Sequence, residues 1–408
     1  MAVSKSNARV VIVGAGPVGM VCALSLNKLG VPVTVFEQEP APVEDQRAAS
    51  LHPSSLEMLD ELGVTEKIIP LGLISTAYRF HDRVTQSVVA EFDLGTMKDE
   101  IRFPYVLQYE QYKLTASIAA EYGNASDFDV RFSHAVTGLT ETADGIEVEV
   151  STPSGTEKLR ADYVIGCDGG RSTVRKLAGI EFEGFTYPER FIKIATSFDF
   201  GVANPKVAFR NYFSDPSEWC NLFKVQGKRP PGLWRAIMPI GAEETDEIAL
   251  SPARIEERLQ KFFPNSGRYE IEYVNVYGAH QCVAATFRKG RVLLAGDSAH
   301  VNNPIGGMGM NGGIHDAFSL CEKILAVLQD SADDSVLDRY ERQRRPIAEE
   351  EIIQQAHRNR TRMQERDPAR RRALLEDLQR TIDDPAKLKA YLMKSSMIDG
   401  LRRAAATA

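Results

Sequence analysis

The sequence is poor in cysteine, and its cysteines do not form the close pairs typical of metal or redox sites. Only five of the 408 residues are cysteine, and none stand in a CxxC pattern, so neither a zinc site nor a redox dithiol is indicated. An odd, scattered set is typical of reduced, buried thiols in a cytosolic protein. We therefore expect a cytoplasmic protein without a bound metal. The cysteines are Cys22, Cys167, Cys220, Cys282 and Cys321.

A surplus of positive charge and a membrane-spanning run are also missing. The net charge of −7 argues against a general nucleic-acid binder, which would show a basic stripe. The apolar region 10–26 is shorter than the roughly 20 residues that a span needs, glycines interrupt it, and no cleavable signal follows. Apolar and charged contents are ordinary for a globular protein, and the length predicts two or three domains. We expect neither nucleic acid nor membrane as a partner.

A glycine-rich turn follows the first apolar run, in VVIVGAGPVG at 10–19. A strand-like segment, this turn, a helical segment and a second strand ending at Glu37 form the unit that a dinucleotide fingerprint requires. Gly14 allows the tight turn, Gly16 lets a pyrophosphate approach the backbone, and Gly19 lets helix and strand pack closely. The helix N-terminus would face the phosphates, and Glu37 could accept hydrogen bonds from ribose hydroxyls. NAD and FAD remain alternatives at this point.

A second glycine-rich stretch, AGDSAHVNNPIGGMGMNGG at 295–313, lies far downstream. Asp297 ends an apparent buried strand, and Gly307 and Gly309 leave backbone N–H groups unshielded before a helix. If the pyrophosphate lies on the first helix, another part of the chain must hold the far end of the cofactor. A flavin fits better than nicotinamide, because its ribityl hydroxyls suit Asp297 and a helix N-terminus stabilises the negative charge of the reduced ring.

A third segment, DYVIGCDGGRSTVRKLAGI at 162–180, has the same character. Asp168 closes another buried strand, and Ser172 and Arg175 follow at helical spacing. The alternative interpretation is a helix cap followed by a surface arginine.

Together, GAGPVG at 14–19, DGGRSTVR at 168–175 and GDSAH…PIGGMGMN at 296–311 resemble the motifs of class A flavoprotein monooxygenases. These are the p-hydroxybenzoate hydroxylase-like family of FAD-dependent aromatic hydroxylases. The resemblance runs from about Val10 to the YERQRRP segment at 340–346. It implies an α/β fold, with a Rossmann-like FAD-binding domain, an inserted antiparallel-sheet substrate domain and a helical C-terminal segment.

Changes in pattern along the chain indicate the domain boundaries. Residues 181–280 alternate, are rich in aromatics and carry several prolines, which indicates an antiparallel sheet. The pattern from Ile314 to the end is almost wholly helical and highly charged. We predict a discontinuous FAD-binding domain from 1–72, 101–180 and 281–350, a substrate domain from 73–100 and 181–280, and a C-terminal helical segment at 351–408.

The resemblance also implies which residues hold FAD. Glu37 would meet the adenosine ribose, Arg47 would lie near the pyrophosphate, and Gln108 would contact the ribityl or phosphate region. Asp168 would touch the FAD and shape the approach of NAD(P)H, while Asp297 would hold the ribityl chain. The predicted cofactor-binding residues are Gly14, Gly16, Pro17, Val18, Gly19, Glu37, Arg47, Gln108, Val136, Asp168, Asp297, Gly307, Gly309, Met310 and Asn311.

The chain has a single dinucleotide fingerprint, so the family resemblance implies that NADH or NADPH binds only transiently as a co-substrate. Reduced flavin would react with O₂ to give a C4a-hydroperoxide, an electrophilic oxidant. The expected reaction of this single-component monooxygenase is hydroxylation of an electron-rich aromatic ring, phenolic or hydroxypyridine, with or without a carboxylate. The flavin carries the chemistry, and the protein orients the reactants in a dry pocket.

Candidates for catalysis lie in two places. Pro304 would line the site beside the reactive flavin carbon. In KVAFRNYF at 206–213, Arg210 and Tyr212 share one strand face and could bind a substrate carboxylate and a ring hydroxyl. The alternative is a half-exposed strand with its polar side in water. We expect His300 to brace its loop rather than act as a base, and likewise His52 and His315.

Other functions remain open at this stage. A halogenase of this fold would show a WxWxIP segment, whereas GLWRAIMPI at 232–240 has one tryptophan. A flavin reductase or epoxidase is another alternative, and a non-catalytic dinucleotide-binding scaffold is a third. Oligomeric state is open between monomer and homodimer.

Overall fold

The computed structural model describes residues 10–44, 46–125, 127–241 and 243–408. The strands are β1 Val10–Val13, β2 Val33–Phe36, β3 Ser50–Leu51, β4 Leu73–Ser75, β5 Ala77–Asp82, β6 Ser87–Asp93, β7 Val106–Gln108, β8 Asn124–Ala125, β9 Phe128–Arg131, β10 Ala135–Thr142, β11 Gly145–Thr152, β12 Gly155–Ala161, β13 Tyr163–Gly166, β14 Phe182–Thr196, β15 Arg210–Ser214, β16 Cys220–Val225, β17 Leu233–Ile240, β18 Ile271–Ala284, β19 Arg288–Lys289, β20 Val292–Leu294 and β21 His300–Val301.

The helices complete the element order. They are α1 Pro17–Lys28, α2 Pro53–Glu61, α3 Thr65–Ile68, α4 Gln111–Tyr122, α5 Thr173–Leu177, α6 Phe200–Ala203, α7 Asp246–Ala249, α8 Pro252–Phe262, α9 Met308–Leu328, α10 Val336–Ile347, α11 Gln354–Gln364, α12 Pro368–Ile382, α13 Pro385–Ser395 and α14 Ile398–Ala406. A π-helix spans Ala348–Ile353, and short 3₁₀ turns span Ile69–Leu71, Leu94–Met97 and Gly296–Ser298.

The first sheet has seven strands in the order β19-β20-β13-β1-β2-β9-β8. Strand β1 is a run of β-branched residues buried on both faces, as expected inside a parallel sheet covered by helices. It pairs in parallel with β2 and β13, and β13 pairs in parallel with β20. Because the carboxyl ends of parallel strands share one edge, the three motifs that follow β1, β13 and β20 meet there.

The second large sheet has eight strands in the order β21-β18-β14-β17-β16-β15-β5-β6. Strands β5 and β6 come from the segment 73–100 and join strands from 181–284 in this sheet. One face carries the aromatic cluster of Tyr78, Phe80, Phe92 and Tyr212, and the other face packs against α8.

Two smaller three-stranded sheets, β10-β11-β12 and β3-β7-β4, complete the sheets of the described chain. After α10 the helices turn back over the second sheet, with α12 against β6 and α13 against the 3₁₀ turn at 94–97. None of the helices in the described ranges is both long and apolar enough to cross a bilayer.

The segment 181–280 departs from the expected purely antiparallel sheet in two ways. It contains the helices α6, α7 and α8, and the apolar spacing of α8 buries Ile255 and Leu259 against the sheet. The pair of β15 with β5 is parallel, because β5 arrives from a separate segment and no hairpin turn dictates its direction.

Candidate cofactor and substrate site

The first glycine loop is shaped by close backbone contacts and leaves one open position. Gly14 has φ +101°, and a Cβ there would lie 2.5 Å from the carbonyl oxygen of Cys167. A Cβ on Gly19 would lie 1.9 Å from the carbonyl oxygen of Gly14. A Cβ on Gly16, by contrast, would have no heavy atom within 4 Å. The loop therefore offers open space at the N-terminus of α1, where free N–H groups fit a pyrophosphate.

Glu37 lies at the end of β2, close to this loop. Its Oε2 accepts a hydrogen bond of 2.8 Å from the N–H of Ala15, and its Oε1 accepts one of 3.0 Å from Glu39. The carboxylate is therefore held beside the glycines, in a position consistent with the predicted ribose contact. Pro17 and Val18 form the first turn of α1, with Pro17 at the start of the helix, where a missing N–H costs nothing.

The third motif is built around a helix cap. The Asp168 carboxylate accepts hydrogen bonds from Ser172 Oγ at 2.5 Å and from the N–H groups of Thr173 at 2.6 Å and Val174 at 3.0 Å. The cap interpretation of Asp168 is therefore correct for the chain itself, and its contact with FAD stays a prediction.

Arg175 is buried rather than a surface arginine. It donates to the carbonyl oxygens of Ser298 at 2.9 Å and Gly170 at 2.8 Å, and it lies 3.8 Å from the centroid of the Phe182 ring. Arg175 therefore ties the third motif to the loop after β20.

The loop between β20 and α9 contains three glycines in the left-handed region, at Gly296, Gly306 and Gly307. Gly307 precedes the first turn of α9, whose leading N–H groups lack intrahelical partners. A Cβ on Gly309 would lie 3.8 Å from Asp297 Oδ1. The predicted ribityl acid and the predicted backbone donors are therefore neighbours.

The side chain of Asp297 is exposed to solvent, although many protein atoms surround its carboxyl group. Its desolvation raises its pKa above the ordinary value, while the charges of His300 and Arg47 oppose that rise. A carboxyl group in such a position is well placed to accept hydrogen bonds from sugar-like hydroxyls.

The side-chain amide of Asn311 is engaged within the chain. Its Oδ1 accepts from the N–H of His52 at 2.8 Å, and its Nδ2 donates to the carbonyl oxygens of Ser50 at 2.8 Å and Gly307 at 2.7 Å. The side chain therefore links α9 to the start of α2. The predicted flavin contact of Asn311 is one through its backbone.

A buried charge network supports the same loop. His300 Nε2 lies 2.6 Å from Asp316 Oδ2, and Arg344 Nε donates to Asp316 Oδ1 at 2.7 Å. The N–H of Gly296 also donates to Asp316, at 3.1 Å. Burial alone would raise the pKa of Asp316, but the charges and hydrogen bonds of His300 and Arg344 hold it well below its ordinary value. His300 braces the loop, in line with the expectation.

Four other predicted cofactor residues lie in different surroundings. Gln108 is buried; its Oε1 accepts from Ser50 Oγ at 2.6 Å, and its Nε2 donates to the carbonyl oxygen of Lys224 at 3.3 Å. Val136 and Met310 are buried in the core of the first domain, whereas Arg47 is exposed. The amide of Gln108 is thus engaged within the chain, and its contact with the cofactor stays a prediction.

A cavity of about 400 Å³ lies between the loop before α9 and the aromatic face of the second sheet. The loop contributes Gly306 and Met308, and the C-terminal helices contribute Tyr391, Ser395 and Ser396. The remaining lining residues are His52, Tyr78, Phe80, Leu94, Val106, Arg210, Tyr212 and Asn359.

Arg210 and Tyr212 both line this cavity, so the alternative of a strand with its polar side in water is wrong. Arg210 is 8% exposed and lies 5.3 Å from the centroid of the Tyr78 ring. Tyr212 is 9% exposed and stacks on Phe80 with a centroid separation of 4.8 Å. Pro304 is exposed and is not among the residues that line this cavity; its carbonyl oxygen accepts from Gly307 N–H at 3.1 Å. Its place beside the reactive flavin carbon stays a prediction.

Sequence reasoning missed three features of the cavity. Tyr78 lies one strand from Tyr212, and an aromatic alternation in AYRFHD could have indicated it. Tyr391 comes from the charged C-terminal region, where no motif marks it. His52 was expected to brace its loop, but its ring nitrogens make no hydrogen bond with the described part of the chain.

The FAD binding domain family model matches residues 7–356. The chain belongs to this family. It is 32% identical over 400 residues to para-nitrophenol 4-monooxygenase of Pseudomonas sp. strain WBC-3, covering 96% of each chain. It is 34% identical to a 3-(3-hydroxy-phenyl)propionate/3-hydroxycinnamic acid hydroxylase of Mycolicibacterium smegmatis, covering 83% of this chain and 58% of that relative.

A solved structure has the same architecture along nearly the whole chain. The crystal structure of p-nitrophenol 4-monooxygenase from Pseudomonas putida DLL-E4 superposes with a TM-score of 0.90 at 31% identity, covering 97% of this chain and 98% of that one. The predicted fold class is confirmed, and so is the assignment to FAD-dependent aromatic monooxygenases. The scaffold and halogenase alternatives have no support among these relatives.

Proposed function

We propose that this FAD-dependent monooxygenase hydroxylates a small phenol or hydroxypyridine that binds as an anion, with Arg210 holding the negative charge. The observation that carries the proposal is the state of Arg210. It is 8% exposed, and no described residue forms an ion pair or hydrogen bond with its guanidinium group. A buried cation without a partner is costly, and an anionic ligand would remove that cost.

The composition of the cavity supports the same substrate class. Its lining has one cation and no carboxylate. Phe80 and Tyr212, which stack on each other, both line the cavity. Aromatic side chains at this position offer a favourable stacking surface for a substrate ring.

The chain's own residues divide the remaining tasks. When bound, FAD would take up reducing equivalents from NADH or NADPH and activate O₂. Gly16 and the start of α1 would hold its pyrophosphate, Asp297 its ribityl hydroxyls, and the start of α9 its ring. Tyr391 lines the cavity, and its helix would close that side and exclude water from the reacting ring.

The proposal is tested on the yellow holoenzyme by following NADH and NADPH oxidation with nitrophenols, hydroxyphenylpropionates and hydroxypyridines. We expect at least one ring to accelerate oxidation and to give a product carrying one oxygen atom from ¹⁸O₂. If NAD(P)H is oxidised but no compound of the three classes gives an oxygenated product, the proposal is wrong.

A matched pair of variants tests the role of Arg210. Arg210→Met should lower kcat/KM by about a hundredfold, because a charge-assisted contact in a buried site is lost. Arg79→Met is the control: Arg79 lies on the neighbouring strand β5 but pairs with Glu91, 2.5 Å away, on the other side of the sheet. If both substitutions lower kcat/KM equally, Arg210 does not bind the substrate.

We also propose that the protein acts in the cytoplasm as a monomer or homodimer. All five cysteines are free, which fits a reducing compartment. Sedimentation of the holoenzyme distinguishes the two oligomeric states.

A further inference from the structure

The ring of His52 is buried, polar and without a partner. The residue is 3% exposed, and neither Nδ1 nor Nε2 forms a hydrogen bond with the described chain. Three other buried histidines differ: His81 pairs with Asn211 at 3.0 Å, His300 with Asp316 at 2.6 Å and His315 with Ser54 at 3.1 Å. Leaving a buried polar group unpaired costs free energy, and a ligand that forms a hydrogen bond with the His52 ring would remove this cost.

The backbone of His52 is held firmly, so the position of the ring is not accidental. Its N–H donates to Asn311 Oδ1 at 2.8 Å, and Asn311 in turn donates to the carbonyl oxygen of Ser50 at 2.8 Å. A Cβ on Gly307 would lie 3.6 Å from His52 Nε2. The ring therefore lies against the loop that precedes α9 and lines the cavity that contains Arg210.

The surroundings keep this imidazole uncharged. Burial, followed by the positive charge of Arg210, lowers the pKa of His52 to about 3; a contact with the Gly306 backbone opposes the shift but lacks hydrogen-bond geometry. The other titratable groups facing the cavity or the ring are Tyr78, Tyr212, Tyr391 and His315, and none is a carboxylic acid. Burial raises the pKa of Tyr78 and of Tyr391 and lowers the pKa of His315, so these groups are neutral as well.

We propose that His52 is a substrate-binding residue whose neutral ring donates a hydrogen bond to an oxygen of the aromatic substrate, while Arg210 supplies the charge that balances that oxygen. This inference rests on the proposed function. In this role His52 does not take a proton from the substrate, because a second positive charge beside Arg210 is unfavourable. The proton of the phenol must therefore leave to solvent before or during binding.

The roles of hydrogen-bond donor and proton acceptor are separated by two substitutions. His52→Gln keeps a donor near the Nε2 position but cannot take up a proton, whereas His52→Phe keeps a flat ring and removes both functions. His52→Leu is a second apolar variant in case the phenylalanine is poorly accommodated. His280→Phe is the control, since His280 is exposed on β18.

The measurement uses the oxidised holoenzyme without NAD(P)H and a nitrophenol as probe. Flavin absorbance gives the Kd, and absorbance of the bound nitrophenol gives its state of ionisation as the pH is varied. We expect His52→Phe and His52→Leu to raise the Kd about tenfold or more, the loss of one hydrogen bond to a charged oxygen. His52→Gln should stay within about threefold of the unmodified enzyme, and the bound probe should be ionised in both.

Each outcome decides the inference. If His52→Phe and His52→Leu fold, retain FAD and bind the nitrophenol as tightly as the unmodified enzyme, His52 does not bind the substrate. If His52→Gln is as poor as His52→Phe and the bound probe loses its ionisation, His52 is a proton acceptor and the neutral-donor role is wrong. If the expected binding pattern is found but no ring is hydroxylated, the proposed function fails while the assignment of His52 stands.

Discussion

The three glycines of the first loop fall into two groups by what a side chain would meet. Side chains at Gly14 and Gly19 would collide with backbone atoms 2.5 Å and 1.9 Å away, so these residues are needed for the fold itself. A methyl group at Gly16 would meet only open space. The folded chain therefore does not itself require a glycine at position 16, and we propose that Gly16 leaves room for the pyrophosphate of FAD.

This difference predicts the behaviour of Gly16→Ala. The apo protein should keep its unfolding midpoint, whereas the affinity for FAD should fall about tenfold or more, since the added methyl group enters the space of the pyrophosphate. Thermal unfolding of apo protein and titration with FAD measure the two effects. Gly19→Ala is the contrasting variant and should lower the apo midpoint; unchanged FAD affinity in Gly16→Ala would contradict the assignment of this loop.

Residue types and spacing predicted the glycine turn and the capped helix, because that information is local. The turn at 14–19 and the capped helix after Asp168 each arise from fewer than ten consecutive residues. Arg210 and Tyr212 could be proposed because alternation along a strand is also local. Their burial could not be predicted, since it depends on Tyr391 and other residues far away in the chain.

At the scale of elements, α9 and the loop before it behave as one unit. Asp316 lies in the third turn of α9 and binds His300, Arg344 and the N–H of Gly296. One carboxylate therefore connects the helix, the loop that carries Asp297, and α10. Since this carboxylate and both of its partners are buried, the network is costly to break.

Asp316→Asn should lower the free energy of unfolding by about 3–5 kcal/mol, because two buried basic groups lose their counter-charge. The pKa of Asp316 is lower in the folded chain than the ordinary value of about 3.9, so the ionised form stabilises the fold at neutral pH. That contribution should disappear as the pH falls below about 4. Urea unfolding at several pH values measures both effects.

A matched control for this variant is Asp338→Asn. Asp338 pairs with Arg288 at 2.7 Å, but its side chain is 57% exposed, so we expect a loss of at most about 1 kcal/mol. Losses of similar size for Asp316→Asn and Asp338→Asn would show that the buried network does not stabilise the loop.

At the scale of the whole molecule, the cavity is assembled from segments far apart in sequence. His52 comes from the first domain, Arg210 from the second sheet and Tyr391 from the last helices. The sequence indicated the segments that form the two large sheets through their different patterns, but the C-terminal helices carried only charge and helical spacing. Their contribution to the cavity is a property of chain packing, which no local pattern reveals.

Tyr391→Ala tests whether the C-terminal helices close the cavity. The ring packs 4.7 Å from Phe92, and its hydroxyl accepts from Arg362 Nη1 at 3.2 Å. Its removal should weaken binding of the aromatic substrate about tenfold and raise the fraction of NAD(P)H oxidised without product, because water enters. FAD content should not change. Lys394→Ala, exposed on the same helix, is the control; coupled turnover at the normal level in Tyr391→Ala would exclude a closing role.

Asn311 has a consequence for altering what the enzyme accepts. One amide group grips the His52 peptide, the Ser50 carbonyl and the turn at Gly307. A substitution of Asn311 that is meant to admit a new ring is thus expected to disturb the loop at Gly307, beside which we propose that the flavin ring binds. Engineering of substrate range should instead begin at the wall formed by Leu94, Ser395 and Tyr391, which can be recontoured while that amide clamp stays intact.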